Sequence, residues 1–139
     1  MRYVLDTDVV TAGMRSPAGA SAELLRLARR EAITLLVSVP LFVEYEATCL
    51  DPEHRRAAGL TVRQVQQFLD ALAIFVEPVV THYLWRPQLR DPGDEMVLEA
   101  AVNGGADALV TFNRRDFGLV PARFGIKLWL PSEALRKVQ

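Results

Sequence analysis

The chain has 139 residues, of which 50% are hydrophobic and 24% charged, with a formal net charge of −1. That balance excludes a disordered segment, and the length suits one domain with a sizeable core, expected to span 1–139, rather than two. The near-zero charge neither announces nor excludes a polyanionic partner. The most apolar run, Ile33 to Val43, is broken by Thr34, Ser38 and Pro40, so no membrane span is expected. Cys49 is the only cysteine and no cleavable signal precedes the first apolar run, which makes a reducing cytoplasm the expected location. Lys127 and Lys137 are the only lysines, and the remaining basic residues are arginine, whose planar fork suits phosphate.

Arg2 to Leu5 reads as a short buried strand ending in Asp6-Thr7-Asp8. Ala18 to Arg30 has apolar residues at helical spacing with Arg26, Arg29 and Arg30 outside. Ile33 to Val37 suits a strand covered on both faces. Ser38, with Pro40 behind it, predicts the start of a helix to Leu50 whose apolar residues fill most of the wheel, so that helix is expected to be largely buried. Asp51 to Gly59 reads as a charged turn, and Thr61 as the cap of an amphipathic helix to about Ala73. Phe75 to Val80 is a further strand or extended connection. Arg90 to Glu95 is a turn opening a helix that Gly104-Gly105 stops after Asn103. Ala106 to Thr111 and Ile126 to Leu130 complete the strands, and Pro131-Ser132-Glu133 starts a last helix. Strands alternating with helices predict a parallel α/β sheet, in which ligands bind beyond the carboxyl ends of the strands.

Acids cluster at those expected ends. Asp6 follows the first strand; taken alone it is explained by a turn or cap, and Asp8 still more readily by a cap. Glu44 falls on the narrow polar edge of its helix beside Thr48, and Glu46 nearer the apolar side. Asp94 shares a face with Val97, Leu98 and Ala101, so it is expected to point into the protein, whereas Glu95 and Glu99 lie on the other face with Asn103. Asp91 fits ordinary Asp-Pro-Gly turn chemistry. Asn113 and Asp116 follow Thr111 as the chain leaves the strand, again with turn or cap as the ordinary explanation. Carboxylates from separate segments, with His54 and His82 in no zinc spacing, suit a hard cation such as Mg²⁺ or Mn²⁺. No glycine-rich phosphate loop or Gly-x-Ser-x-Gly elbow is present.

Three families share features of this pattern. "VLDTDVV" resembles the opening motif of haloacid-dehalogenase-type phosphatases, with Asp6 as nucleophile and Asp8 as acid/base, but no acidic pair follows Lys127. A phosphoacceptor receiver domain needs an aspartate at its middle strand, where this chain has "ITLLVSVP". The third is the PIN-domain nucleases. "YVLDTDVV", "LLVSVPLFVEYEATCL", "DPGDEMVLEAAVNGGADALVTFNRRDF" and "LWLPSEAL" resemble that family in order and spacing over nearly the whole chain, most closely its VapC-type branch of toxin–antitoxin ribonucleases.

The resemblance implies an α/β/α sandwich around a short, mainly parallel sheet and metal-dependent cleavage of RNA. Carried onto this sequence, it makes Asp6, Glu44, Asp94 and Asp116 the acidic site for one or two Mg²⁺ or Mn²⁺ ions. Asp8, Asp91, Thr111 and Asn113 stand behind them. Many family members carry aspartate where this chain has Asn113, which predicts a weaker metal site. Arg90, Arg114 and Arg115, next to the acids, are the expected RNA contacts. The resemblance further implies a homodimer and a small antitoxin partner. The alternatives are a catalytically weak or inactive PIN-type binding module and, less well matched, the phosphatase.

Overall fold

The computed structural model describes residues 1–82 and 87–139. Its chain order is β1 (Arg2–Leu5), α1 (Thr7–Arg15), α2 (Ala20–Arg29), β2 (Thr34–Ser38), α3 (Val39–Leu50), α4 (Pro52–Ala57), α5 (Val62–Phe75) and β3 (Val76–Val79). It continues through α6 (Pro92–Gly104), β4 (Ala108–Val110), α7 (Arg114–Phe117), α8 (Val120–Arg123), β5 (Lys127–Trp129) and α9 (Pro131–Arg136).

The five strands form one parallel sheet in the order β3-β2-β1-β4-β5. β1 is therefore central, pairing Tyr3 with Leu35 of β2 on one side and with Ala108 of β4 on the other. The chain moves outward from β1 to β2 and β3, then crosses back to place β4 on the opposite side of β1. That reversal opens a crevice at the carboxyl ends of β1 and β4.

Side-chain alternation along β1 divides the helices into two layers. The Tyr3 hydroxyl donates to the carbonyl of Ala134 at 3.0 Å, so the Tyr3 face lies under α9, which in turn packs on α2. Arg2, on the other face, donates to the carbonyl of Gly104 at 3.0 Å, where α6 ends. α6 lies across β1, β2, β3 and β4. The core between the layers includes Tyr3, Val4, Leu5, Leu35, Leu36, Val37 and Leu109, all buried. Burial on this scale, at roughly 25 cal/mol per Å² of apolar surface, is the main force holding helices to sheet.

Local chemistry sets the element ends. Ser38 accepts from the Leu41 N–H at 3.3 Å and caps α3, and Thr61 makes a reciprocal capping box with Gln64 on α5. Gly104 approaches the sheet so closely that a Cβ there would stand 2.9 Å from Val79. Gly105 then ends α6 in the left-handed conformation at φ 63°, which costs glycine least.

Two expectations are corrected. Asp51 to Gly59 is not simply a turn, because Asp51 accepts from the Glu53 N–H at 3.0 Å and, with Pro52 in the first turn, starts the short helix α4. Nor is α3 largely buried: Leu41, Tyr45 and Cys49 are, but Val39 is 75% and Val43 56% exposed. An apolar wheel reports what a helix can bury, and this chain alone covers only one side of α3.

Candidate functional site

Asp6 stands at the crevice between β1 and β4 and is held there from several directions. Its backbone N–H donates to the Val110 carbonyl at 2.9 Å, tying the end of β1 to the end of β4. One carboxylate oxygen, Oδ1, accepts from the Thr7 N–H at 2.8 Å and caps α1. The other, Oδ2, accepts the Thr111 hydroxyl proton at 2.8 Å. Thr111 Oγ1 itself accepts from the Asn113 N–H at 2.9 Å. Thr111 thus orients the Asp6 carboxylate as a hydroxyl behind a metal ligand does. Burial pushes the Asp6 carboxyl above the ordinary range, the Thr111 and Thr7 hydrogen bonds oppose that, and the charges of Asp116 and Asp91 add to it.

The cap of α1 is Asp6, and Asp8 does different work. Asp8 Oδ2 accepts from the Phe112 N–H at 3.2 Å and from the Asn113 side-chain amide at 2.9 Å. It therefore clamps the loop after β4 to the first turn of α1. An aspartate at 113 would set two carboxylates against each other here, whereas Asn113 gives Asp8 a donor. Burial first, and the charge of Asp6 second, push the Asp8 carboxyl up to about 7.

Asp94 reaches the same place from α6. Asp91 caps that helix, accepting from the N–H groups of Gly93 at 2.7 Å and Asp94 at 3.3 Å. Val97, Leu98 and Ala101 are buried against the body, which turns the Asp94 side of α6 toward the crevice as the sequence predicts. Its carboxyl is pushed up to about 6 by burial and then by Asp6, Asp91 and Asp116. Four aspartates from three segments thus share one electrostatic field. A cleft of about 530 Å³ beside them is lined by Arg90, Asp91, Asp94, Arg115, Asp116 and Phe117 among others.

Glu44, expected among the ligands, is not brought to the aspartates: it neither lines the acidic cleft nor adds its charge to the field at Asp6, Asp8 or Asp94. Glu44 lies one turn before Thr48 on the same side of α3, the helix leaving the carboxyl end of β2. It is half-buried and has no ion-pair partner among the described residues. Arg90 and Arg115 line the acidic cleft. Arg114 turns away to Glu133, at 2.9 Å, in a half-exposed pair worth roughly 0–1 kcal/mol.

Sequence reasoning missed two supports. The Tyr45 hydroxyl donates to the Leu5 carbonyl, fixing α3 to the end of β1 just before Asp6. Glu95, placed by the sequence on the face away from Asp94, accepts from the N–H groups of Gln88 at 3.1 Å and Leu89 at 2.9 Å and so positions the segment bearing Arg90. The Tyr45 bond joins residues 40 apart and has no local signal, whereas Glu95 lies six residues after Leu89 and its bonds depend on how the intervening turn folds.

The donor set fits a hard cation in kind: carboxylate oxygen throughout, with neither histidine nor cysteine lining the acidic cleft. Among the described residues, no three such side chains already stand at ligating distance of one point. At Asp6 and Asp94 burial comes first and the charges of the neighbouring aspartates add to it in raising the carboxyls.

A family model for the PIN domain matches residues 2–115, and the chain belongs to that family. The match ends one residue before Asp116. Among solved structures, the crystal structure of VapBC2 from Rickettsia felis bound to a DNA fragment from their promoter is similar in fold, with a TM-score of 0.62 and 18% identity. The alignment covers 92% of this chain and 97% of that one. A search of curated proteins returns no match. Among the described residues, no helix is long and apolar enough to cross a membrane.

Proposed function

We propose that this PIN-domain protein is a Mg²⁺- or Mn²⁺-dependent endoribonuclease and the toxin half of a toxin–antitoxin pair. The observation that carries the reading is the electrostatic field shared by Asp6, Asp94 and Asp116, with Asp91, near the point where the strand order reverses. Asp6, Asp94 and Asp116 would hold the metal. A bound divalent ion supplies Lewis acidity, lowering the pKa of water and offsetting negative charge on a phosphodiester.

The chain's own groups do the rest. Thr111 and the Thr7 N–H keep both Asp6 oxygens oriented. Asp8 holds the loop on which Asn113 and Asp116 follow. Arg90 and Arg115, at the cleft wall, meet the phosphates on either side of the reacting bond. No side chain acts as a nucleophile in this scheme.

Two surfaces support the proposed partners. Exposed Val39 and Val43 stand beside a shallow cleft formed with Phe42, Val76 and Pro78, which suits a homodimer contact. A separate apolar groove between α2 and α5, lined by Ala22, Leu25, Phe68, Leu72 and Phe75, suits a segment of a small antitoxin. The likeness to the VapBC2 structure favours the toxin role over a housekeeping nuclease.

The test is cleavage of single-stranded RNA by the purified chain, free of antitoxin. Cutting is expected with Mg²⁺ or Mn²⁺ and not with EDTA. A chain that binds no divalent ion and cuts no RNA is instead a PIN-type binding module, and hydrolysis of a small phosphoester abolished by Asp8→Asn would favour the phosphatase.

A further inference from the structure

A second cleft, of about 450 Å³, opens beyond Asp8 between α1, α3 and α4, with Asp8, Arg15, Ser16, Thr48, His54 and Phe112 among its lining residues. It shares none of its lining with the acidic cleft. The two still adjoin through the chain, since Phe112 directly follows Thr111, whose hydroxyl holds Asp6.

Few groups on this wall are open to an occupant. Asp8 Oδ1 and His54 Nδ1 are buried, and Asp8 Oδ2 is taken by the Phe112 and Asn113 amides, so these atoms face inward. The exposed large side chains lining the cleft are Phe112 and Arg15. Phe112 is 48% exposed and stands outside the apolar core, yet its backbone is fixed. Its N–H donates to Asp8 at 3.2 Å, and the next residue, Asn113, is held by both Thr111 and Asp8. Arg15 is in no salt bridge among the described residues. It follows Asp8 by seven residues on α1, which puts it on the same side of the helix about 10 Å further along.

These two side chains narrow the choice of occupant. Among the described residues Phe112 is the only large apolar side chain lining the cleft, too little for the apolar centre of a protein interface. A lone phosphate would leave its ring bare, and a duplex keeps its bases stacked on one another, out of the ring's reach. An unpaired nucleotide suits both groups: its base stacks on Phe112, and a backbone phosphate meets Arg15 clear of the Asp8 carboxylate. Every base has such a face, so the contact holds a single strand without reading its sequence.

Resting on the ribonuclease reading, we infer that this cleft is a second arm of the RNA path, in which Phe112 stacks an unpaired base next to the cleaved phosphodiester and Arg15 takes a phosphate further along the strand. The arm selects single-stranded RNA over duplex. Neither residue takes part in bond breaking.

The test measures binding apart from cleavage, by fluorescence anisotropy of the full chain in EDTA. The probes are a labelled oligouridine, a mixed-sequence single strand, and that strand annealed to its complement. Both single strands are expected to bind several-fold more tightly than the duplex. Phe112→Ala should weaken them about tenfold and leave duplex affinity in place, whereas Phe112→Trp should bind as wild type and lose indole fluorescence as RNA is added. Arg15→Ala should flatten the fall of log affinity with log salt by about 0.7, the signature of one phosphate contact on a single strand. Melting temperatures establish that each variant is folded. Equal affinity for duplex and single strand, a salt dependence unchanged in Arg15→Ala, or single-strand binding untouched by Phe112→Ala would overturn the assignment, the last leaving Phe112 to a protein partner. If single-strand binding depends on Phe112 but no RNA is cut with Mg²⁺, the ribonuclease reading fails and the arm stands; cutting by a chain whose binding ignores Phe112 gives the converse.

Discussion

Thr111 is the residue whose role is most sharply drawn, because one hydroxyl both orients Asp6 and receives the backbone of the loop that carries Asn113. Replacing Thr111 with Val keeps the shape and removes the bond. Activity is then expected to fall about 10–100-fold, as for other residues that brace a metal ligand, with Thr111→Ser close to wild type in the same RNA cleavage assay. Asp8 offers a test by pH. Its carboxyl is raised in the folded chain from the ordinary 3.8 to about 7, so its contribution to stability is present below about 4 and is lost as pH rises through about 7. Asp8→Asn keeps acceptor and size but removes that ionisation. The melting temperature of the metal-free variant should therefore gain on wild type as pH rises across this window, and a gap independent of pH would contradict the assignment. Asp6 and Asp94 were legible in the sequence because a strand end and a helix face direct them. The Asp8 to Asn113 contact was not, since it joins residues 105 positions apart.

Helix caps separate site from scaffold at the level of elements. Asp91 caps α6 beside Asp94, and Thr61 caps α5 away from the acids. Asp91→Ala and Thr61→Ala should each cost about 1 kcal/mol of stability in denaturant unfolding. Only Asp91→Ala should also lower RNA cleavage, because it frays the turn that presents Asp94 and removes one of the charges in its field. Equal loss of activity in both variants would show that general stability, not position, is being read. The caps at Ser38 and Thr61 were readable because capping is local chemistry of a few neighbouring residues, whereas Asp91, read as a turn residue, turns out to be the cap of α6. The start of α4 was misread because Asp-Pro opens turns and helices alike, and the exposed side of α3 because a helical wheel does not say how many faces will find a partner.

For the whole molecule, the order β3-β2-β1-β4-β5 makes the site. Alternating strands and helices implied a parallel sheet, yet placing β1 between β2 and β4 requires contacts across more than 70 residues, as between Tyr3 and Ala108. Alternation in the sequence carries no record of which strands become neighbours; here the family resemblance supplied the architecture, and the sheet confirms it. The same scale bears on assembly. Val39 and Val43 leave an apolar surface on α3 that the monomer does not cover. If the proposed homodimer forms through this face, the wild-type chain is expected to sediment as a dimer and Val43→Glu as a monomer. A variant that sediments as a dimer at equal concentration would move the interface elsewhere.

The central claim is that aspartates gathered at the carboxyl ends of β1 and β4 form the metal centre of a ribonuclease. Asp94→Asn tests it most directly, because it removes one charge from the middle of that field without altering side-chain size. Cleavage of one single-stranded RNA is measured for wild type and variant side by side over rising Mg²⁺. The expected result is a wild-type chain that cuts and a folded variant that stays inert at every metal concentration; cutting by Asp94→Asn at the wild-type rate would contradict the account.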